Sequence, residues 1–163
     1  MTRRVVALLE VMYDWRGMTS GAGYEETAPP YYTINPDNKS GRVLYSWLGR
    51  QGEHYDELLV TNACPQLVTG PNQRGTPDKS WVSKNLKELA PFSLLLVCGA
   101  VAAKNYYQCD AENSRIIELP HPAARTWTRE DLAFAGRLIR ESQSSLWLHF
   151  RAGRLHAQIL PPF

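Results

Sequence analysis

Three polar motifs follow strand-like apolar runs in this 163-residue sequence. His121 comes directly after the run IIELP and stands between two prolines. Proline restricts its own backbone and that of the residue before it, so the turn is predicted to hold the imidazole stiffly. Asn35, followed by Pro36, ends the segment YYTINP, and Asn62 ends the run ELLVTN. An asparagine amide offers both a donor and an acceptor, and an imidazole can donate a hydrogen bond, so the motifs predict a polar ligand site.

Apolar spacing predicts the elements that position these motifs. Residues 3–15 carry apolar side chains near helical spacing, which predicts an amphipathic first helix. Strands are predicted in four segments: PYYTINP, DELLVTNACP, SLLLVCG and RIIELP. Further helices are predicted in NKSGRVLYSWLG, from Thr76 as N-cap to about Leu89, from Gly99, and over 129–141 behind a Thr128 and Asp131 capping box.

Alternation of strands and helices predicts a three-layer α/β/α fold with a short four-stranded parallel sheet. The last segment, SLWLHFRAGRLHAQIL, predicts an added C-terminal β-hairpin around Ala152-Gly153. The length suits a single domain over 1–163, with a core at about 30–141 and the hairpin at 144–160. In such sheets the ligand crevice lies beyond the carboxyl ends of the strands, where all three polar motifs fall.

Composition narrows the class of protein without selecting a partner. The net charge of +2 and pI near 8.5 are compatible with nucleic-acid binding but do not decide it. No apolar segment is long enough to cross a bilayer. The N-terminal apolar run is interrupted by Glu10 and Asp14 and has no small-residue cleavage site, which predicts a cytoplasmic protein. Cys64, Cys98 and Cys109 form no CxxC pair, so we expect buried or incidental thiols, with no metal and no cofactor.

Four segments in order resemble the uracil-DNA glycosylase superfamily. TINPDNKSG resembles the first motif in its G-I-N-P-G form, VTNACPQ resembles the strand that ends in a base-reading asparagine, and HPAART resembles the second motif. The linking segment GTPDKSWVSKNLKELAPFSLLLVCGAVAAKNY also resembles its counterpart. The similarity covers about residues 30–141 and implies a DNA glycosylase that hydrolyses the bond to a flipped uracil or modified pyrimidine.

The resemblance also implies roles for single residues. His121 would donate a hydrogen bond to the departing base, and Asn35 would orient the attacking water. Asn62 would bind the edge of the base, and Tyr31 or Tyr32 would stack on it. DNA-backbone contacts are implied for Pro36, Ser40 and Thr126, and Arg125 falls where the family places the side chain that fills the gap left by the base.

The first motif departs from the family pattern and leaves alternatives open. Thr33 and Asp37 stand where the family has glycines, which makes Asp37 a candidate catalytic acid. Asp14 in MYDWRG is the alternative acid if residues 4–13 form a strand and MYDWRG is the first motif. Three cysteines do not supply the pattern of the iron–sulfur branch, so no cluster is expected.

The expected partner is DNA, single- or double-stranded, or a free nucleotide. A non-catalytic member that binds a modified base, a nucleotide or a nucleic-acid-handling partner is the alternative to a glycosylase, and the changed first motif favours it. A hydrolase acting on free nucleosides or nucleotides is a third interpretation.

Overall fold

The computed structural model describes residues 3–13, 27–68, 75–107, 115–124 and 126–161. Within these ranges the chain forms eight strands and four helices. The strands are β1 Arg4–Leu9, β2 Met12–Tyr13, β3 Glu57–Asn62, β4 Leu67–Val68, β5 Leu94–Cys98, β6 Arg115–Leu119, β7 Leu146–Arg151 and β8 Arg154–Ile159. The helices are α1 Lys39–Leu48, α2 Lys79–Leu89, α3 Ala100–Tyr106 and α4 Arg129–Glu141.

Six strands form one sheet in the order β3-β1-β5-β6-β7-β8, and β2 pairs with β4 separately. Neighbours from β3 to β7 are parallel, and β8 is antiparallel to β7. The predicted α/β class with a parallel sheet is therefore confirmed, but the prediction of four strands is wrong. The hairpin strands are part of the main sheet because β7 pairs with β6.

The predicted first helix over residues 3–15 is wrong, because Arg4–Leu9 is the strand β1. This strand lies between β3 and β5. Its alternate side chains enter two different cores, with Val5, Ala7 and Leu9 in one and Val6 and Leu8 in the other. A central parallel strand is buried on both faces and so reads as a continuous apolar run, in which a helical spacing is easily found by chance.

The prediction of a sheet strand in PYYTINP is also wrong. This segment makes an isolated bridge, in which the Tyr32 N–H donates to the Val60 carbonyl over 2.9 Å and the Val60 N–H donates back over 2.8 Å. The segment therefore crosses β3 at a single point and continues into α1. Its backbone contact places Tyr32 beside the carboxyl half of β3.

Helices cover both faces of the sheet. Helices α1 and α4 bury one apolar face through residues such as Leu44, Trp47 and Ile139. On the other side α2 and α3 bury residues such as Val82, Leu86 and Ala102. Each helix thus fixes the loop that precedes it against the carboxyl edge of the sheet, where the ligand crevice is expected.

Local signals place most helix ends correctly. The capping box of α4 is confirmed, because the Thr128 side chain accepts from the Asp131 N–H and the Asp131 carboxylate accepts from the Thr128 N–H. The start of α2 was predicted two residues too early. Asp78, not Thr76, is the N-cap, and its carboxylate accepts from the N–H groups of Ser80 and Trp81.

The predicted hairpin turn is confirmed. Ala152 and Gly153 connect β7 and β8 with φ values of 51° and 74°. Two successive residues with positive φ match the twist of a two-residue hairpin turn.

Two of the cysteines are buried free thiols, as predicted. Burial raises the pKa of Cys64 to about 11, with a smaller contribution from Glu10, and it raises the pKa of Cys98 further. Cys109 lies outside the described residues. No helix in the described ranges has the length and apolarity that a bilayer span requires.

Candidate functional site

A cavity of about 500 Å³ lies at the carboxyl edge of the parallel sheet. Leu9 and Asn62 are register partners at the ends of β1 and β3, and Cys98 and Leu119 are register partners at the ends of β5 and β6. His121 follows two residues beyond Leu119. The cavity is lined by residues from three separate segments of the chain: Leu9, Val11, Met12, Tyr32, Thr33, Ile34, Asn35, Asn38, Lys39, Ser40, His121 and Ala123.

The turn that carries His121 is fixed by several hydrogen bonds. The indole Nε1 of Trp127 donates to the His121 carbonyl over 2.9 Å, and the Ala124 N–H donates to the same oxygen over 2.9 Å. Lys39 Nζ, at the start of α1, donates to the Ala123 carbonyl over 3.0 Å. These bonds tie the turn to α1 and to the start of α4.

Aromatic packing against the core supports the same turn. The Trp127 ring meets Trp47 and Phe150 edge to face, with ring centroids 5.2 and 5.1 Å apart. Trp47 is fully buried in α1, and Phe150 belongs to β7. Trp127 therefore anchors the turn to the core between the sheet and helices α1 and α4.

The hydrogen bonding of the imidazole defines what His121 can do. Its Nδ1 accepts from the Ala123 N–H over 3.0 Å, which requires Nδ1 to be unprotonated. Burial lowers the pKa of His121 below its usual value, and the charge of Lys39 lowers it further. We therefore assign the neutral tautomer with the proton on Nε2, which makes Nε2 the one N–H donor of the ring.

Asn35 occupies a tight turn before α1. Its Oδ1 accepts from the Asp37 N–H over 2.8 Å, and its backbone carbonyl accepts from the Asn38 N–H over 3.3 Å. Asn38 is the N-cap of α1 and accepts from Gly41 N–H. Gly41 is needed here because a Cβ at this position would overlap the Asn35 carbonyl. The side chain of Asn35 is exposed at the cavity with its amide Nδ2 available as a donor.

Asn62 reaches the cavity through Tyr32. Asn62 is 2% exposed and its Nδ2 donates to the Tyr32 hydroxyl over 2.9 Å. Tyr32 lines the cavity, whereas Asn62 does not. The Asn62 Oδ1 is buried and has no hydrogen-bond partner among the described residues. Burial raises the pKa of Tyr32, and the bond from Asn62 opposes this less strongly, so the phenol keeps its proton at neutral pH.

Comparison with known proteins agrees with this geometry. The sequence model of the uracil-DNA glycosylase superfamily matches residues 18–143. The chain belongs to this superfamily. The match ends just before the hairpin, so β7 and β8 lie beyond the matched segment. A search of curated protein sequences returned no match to the chain.

The structure brings together some of the residues that the superfamily resemblance singled out. Asn35, Ser40, Tyr32 and His121 line one cavity. Pro36 lies on a neighbouring groove with Thr33, which borders both. Tyr31 is 37% exposed and Thr126 is exposed, and neither lines the cavity.

One described candidate residue, Asp37, stands apart from this group. Asp37 is exposed, does not line the cavity, and accepts from Arg42 Nη1 through its backbone carbonyl. Arg125 and Asp14 lie outside the described residues. The described chain before Asp14 does reach the cavity, because Leu9, Val11 and Met12 line it.

Sequence reasoning did not select two contributors to the cavity. Lys39 lines the cavity and bonds to the turn of His121, but a lysine at a helix start gives no signal of either role. The end of β1 was missed because residues 3–15 were interpreted as a helix. Within the described ranges, the structure contains no cluster of three or more His, Cys, Asp or Glu side chains that could hold a metal ion.

Proposed function

We propose that the protein is a DNA glycosylase that hydrolyses the N-glycosidic bond of an extruded uracil or modified pyrimidine. The observation that carries the proposal is the position of His121. Its Nδ1 is occupied by a backbone N–H, so Nε2–H is left to donate within the cavity that Asn35 also lines. Superfamily membership supports a DNA-related substrate.

The chemistry needs a neutral donor at this position. Cleavage leaves negative charge on the departing base and positive charge on the sugar, and a preorganised N–H group stabilises the former. The lowered pKa of His121 keeps the imidazole uncharged at neutral pH. Because the turn is already anchored by Trp127 and Lys39, little reorganisation is required when the charge develops.

The cavity suits one base and one water. Its volume of about 500 Å³ lies within the range of small-molecule sites. Asn35 is proposed to orient the water against the sugar. Tyr32 and Asn62 are proposed to bind the base edge, with the phenol hydroxyl as the group that faces the cavity and Asn62 behind it. DNA-backbone contacts are proposed for Ser40, Pro36, Thr126 and Arg125.

The first test is base release from an oligonucleotide with a single uracil, detected by alkali cleavage of the abasic product. His121→Ala should reduce the rate by about 10²–10³-fold, the usual cost of losing one such donor. Asn35→Ala should also reduce it strongly. His54→Ala, at an exposed site away from the cavity, is the matched control and should keep full activity. Full activity in both site variants would refute the proposed site.

A second test separates the two candidate acids. Asp14 follows the strand end that lines the cavity, whereas Asp37 does not line it. Asp14→Asn is therefore expected to lower base release by about 10²–10⁴-fold, the range for general acid–base groups. Asp37→Asn should stay near wild type. The reverse ranking would make the Asn35 turn, and not the end of β1, the source of the catalytic carboxylate.

A non-catalytic binding function is the alternative. The observation that favours it is that no carboxylate is found among the described residues that line the cavity. Oligonucleotides that are retained in a gel-shift titration but never cleaved would support it. Turnover of free nucleotides without cleavage of oligonucleotides would support a nucleotide hydrolase instead.

A further inference from the structure

One face of the C-terminal hairpin has no role in the proposed reaction. Alternate residues Leu146, Leu148 and Leu155 enter the core beneath α4. Their neighbours in the chain face the opposite side of the sheet, because side chains alternate along a strand. We call this side the hairpin platform, and its register pairs are Trp147 with Gln158, His149 with His156, and Arg151 with Arg154.

The hairpin platform is open to solvent. Helices α2 and α3, on this side of the sheet, pack against β1, β3 and β5. Trp147 is 38% exposed, and Arg151, Arg154, His156 and Gln158 are exposed. A tryptophan left uncovered beside other planar side chains is a common feature of binding surfaces.

Three planar rings form a row across the two strands of the platform. Trp147 and His149 are stacked with centroids 4.0 Å apart and planes inclined by 20°. His149 and His156 are stacked with centroids 5.9 Å apart and planes inclined by 27°. The two exposed rings, Trp147 and His156, therefore lie at the ends of the row with His149 between them. Planar rings of this kind offer stacking positions for unpaired bases.

The charge of the platform favours a polyanion. Arg151 and Arg154 face each other beside the hairpin turn, and both are exposed. Glu118 is the register partner of Trp147 on β6, and it places a negative charge next to the platform. Its carboxylate accepts from the Tyr107 hydroxyl over 2.6 Å. Two guanidinium groups next to a row of rings are complementary to phosphates next to bases.

The basic end of the platform shares an edge with the catalytic cavity. Strand β7 runs parallel to β6, so Arg151 at its end lies on the same side of the sheet edge as the turn after β6. Phe150, whose side chain packs against the core on the opposite face of β7, contacts the Trp127 ring, and Trp127 donates to the His121 carbonyl. Arg151 and the turn of His121 therefore share one edge of the sheet.

We propose that the hairpin platform binds single-stranded DNA, with the two arginines on phosphates and the ring row on bases. A single strand is favoured over a duplex because bases within a duplex are already stacked on each other and cannot stack on Trp147. The choice of DNA as the polymer rests on the proposed function, whereas the surface itself lies outside the superfamily segment. The platform would hold the strand beside the cavity without reading its sequence.

The test is fluorescence anisotropy with a labelled strand of about 20 thymidines, longer than the ~4–16 nucleotides that a small binding fold covers. Because this strand contains no uracil, the result does not depend on base release. Trp147→Ala should weaken binding by about 5- to 100-fold without changing the salt dependence, as expected for one lost stack. Trp147→Phe should retain part of the affinity, which guards against loss of fold as the explanation.

The contribution of the two arginines is tested by measuring how binding depends on the salt concentration. The double variant Arg151→Ala/Arg154→Ala should weaken binding and reduce the slope of log affinity against log salt by about 1.4, or ~0.7 for each phosphate contact. Lys84→Ala/Lys87→Ala removes the same charge from exposed positions of α2 and is the matched control. An equal loss in the control would mean that net charge alone binds the strand, and the proposal would be overturned.

Binding of a duplex, of RNA or of a second copy of the chain at the platform would give different results in these measurements. Equal weakening of duplex binding by Trp147→Ala, or tighter binding to a uridine RNA strand, would contradict the proposal. A wild-type dimer that becomes a monomer in Trp147→Ala, measured by light scattering, would assign the platform to a second copy of the chain. A wild-type protein that binds the thymidine strand but releases no uracil would refute the proposed function alone, whereas base release together with thymidine-strand binding that Trp147→Ala does not weaken would refute the platform alone, so the two failures are distinguishable.

Discussion

The two walls of the cavity differ in how completely their hydrogen bonds are satisfied. On the His121 wall, the imidazole Nδ1, the His121 carbonyl and the Ala123 carbonyl each have a protein partner. On the Tyr32 wall, Asn62 lies buried behind the tyrosine, and its Oδ1 has no partner in the described part of the chain. A buried acceptor without a donor costs about 1–3 kcal/mol, so the second wall is energetically incomplete.

This difference assigns separate tasks to the two walls. A group that must stabilise charge in a transition state works best when it is fixed beforehand, as His121 is. A group that must recognise a ligand gains most when the ligand supplies a missing partner, as a donor reaching Asn62 would. Until such a ligand binds, the Tyr32 hydroxyl accepts a hydrogen bond from the Asn62 amide. The comparison predicts that variants of the first wall mainly affect rate, whereas variants of the second mainly affect affinity.

Gly41→Ala should give the largest loss of stability, because it disrupts the helix start that supports the His121 wall. A Cβ at this position overlaps the Asn35 carbonyl, and the resulting shift would also displace Lys39 from the Ala123 carbonyl. We expect a loss of about 1–3 kcal/mol in unfolding free energy, measured in urea. Ser46→Ala, at an exposed position of the same helix, should change it by less than ~0.5 kcal/mol. Equal values would show that the helix start adjusts freely.

Tyr32→Phe should have a smaller effect, of about 1 kcal/mol, because it removes the acceptor of the Asn62 Nδ2. The variant also removes the hydroxyl that is proposed to bind the base edge, so binding of free uracil should weaken in calorimetric titration while stability falls. Tyr31→Phe is the matched control, since Tyr31 is 37% exposed and does not line the cavity. Unchanged binding in Tyr32→Phe would mean that the phenol hydroxyl does not contact the base.

The smallest effect is expected from pH. The pKa of His121 is lowered in the folded chain from its usual 6.5, so the unfolded chain takes up the proton first as the pH falls. Wild type should therefore lose stability relative to His121→Gln below about pH 6.5, and the difference should level off below the folded-state pKa. Denaturant titrations at several pH values measure this. His54→Gln should follow the wild-type curve, and a flat difference for His121→Gln would argue against a buried neutral imidazole.

Local sequence signals predicted much of the fold. The stripe of α1, the capping box of α4 and the turn at Ala152-Gly153 were all recognisable because each depends on neighbours within a few residues. The end of β1 was not recognisable, since burial of Val5 to Leu9 on both faces depends on β3 and β5 from elsewhere in the chain. For the same reason PYYTINP was mistaken for a sheet strand.

The candidate site shows the same limit. The resemblance selected Asn35 and His121, which line one cavity, and Asn62, which lies behind Tyr32. The bond between Asn62 and Tyr32 joins positions 30 residues apart, so spacing gives no indication of it. The support that Trp127 and Lys39 provide likewise arises from packing between α1, α4 and the turn.

The pairing of β7 with β6 has a practical consequence for anyone who trims the chain. A fragment cut after residue 143, where the superfamily match ends, would leave the outer side of β6 unpaired and would remove Leu146, Leu148 and Leu155 from the interior. Exposed strand edges and apolar surface promote aggregation. The terminal segment therefore belongs to the minimal folding unit, even though the superfamily match ends before it.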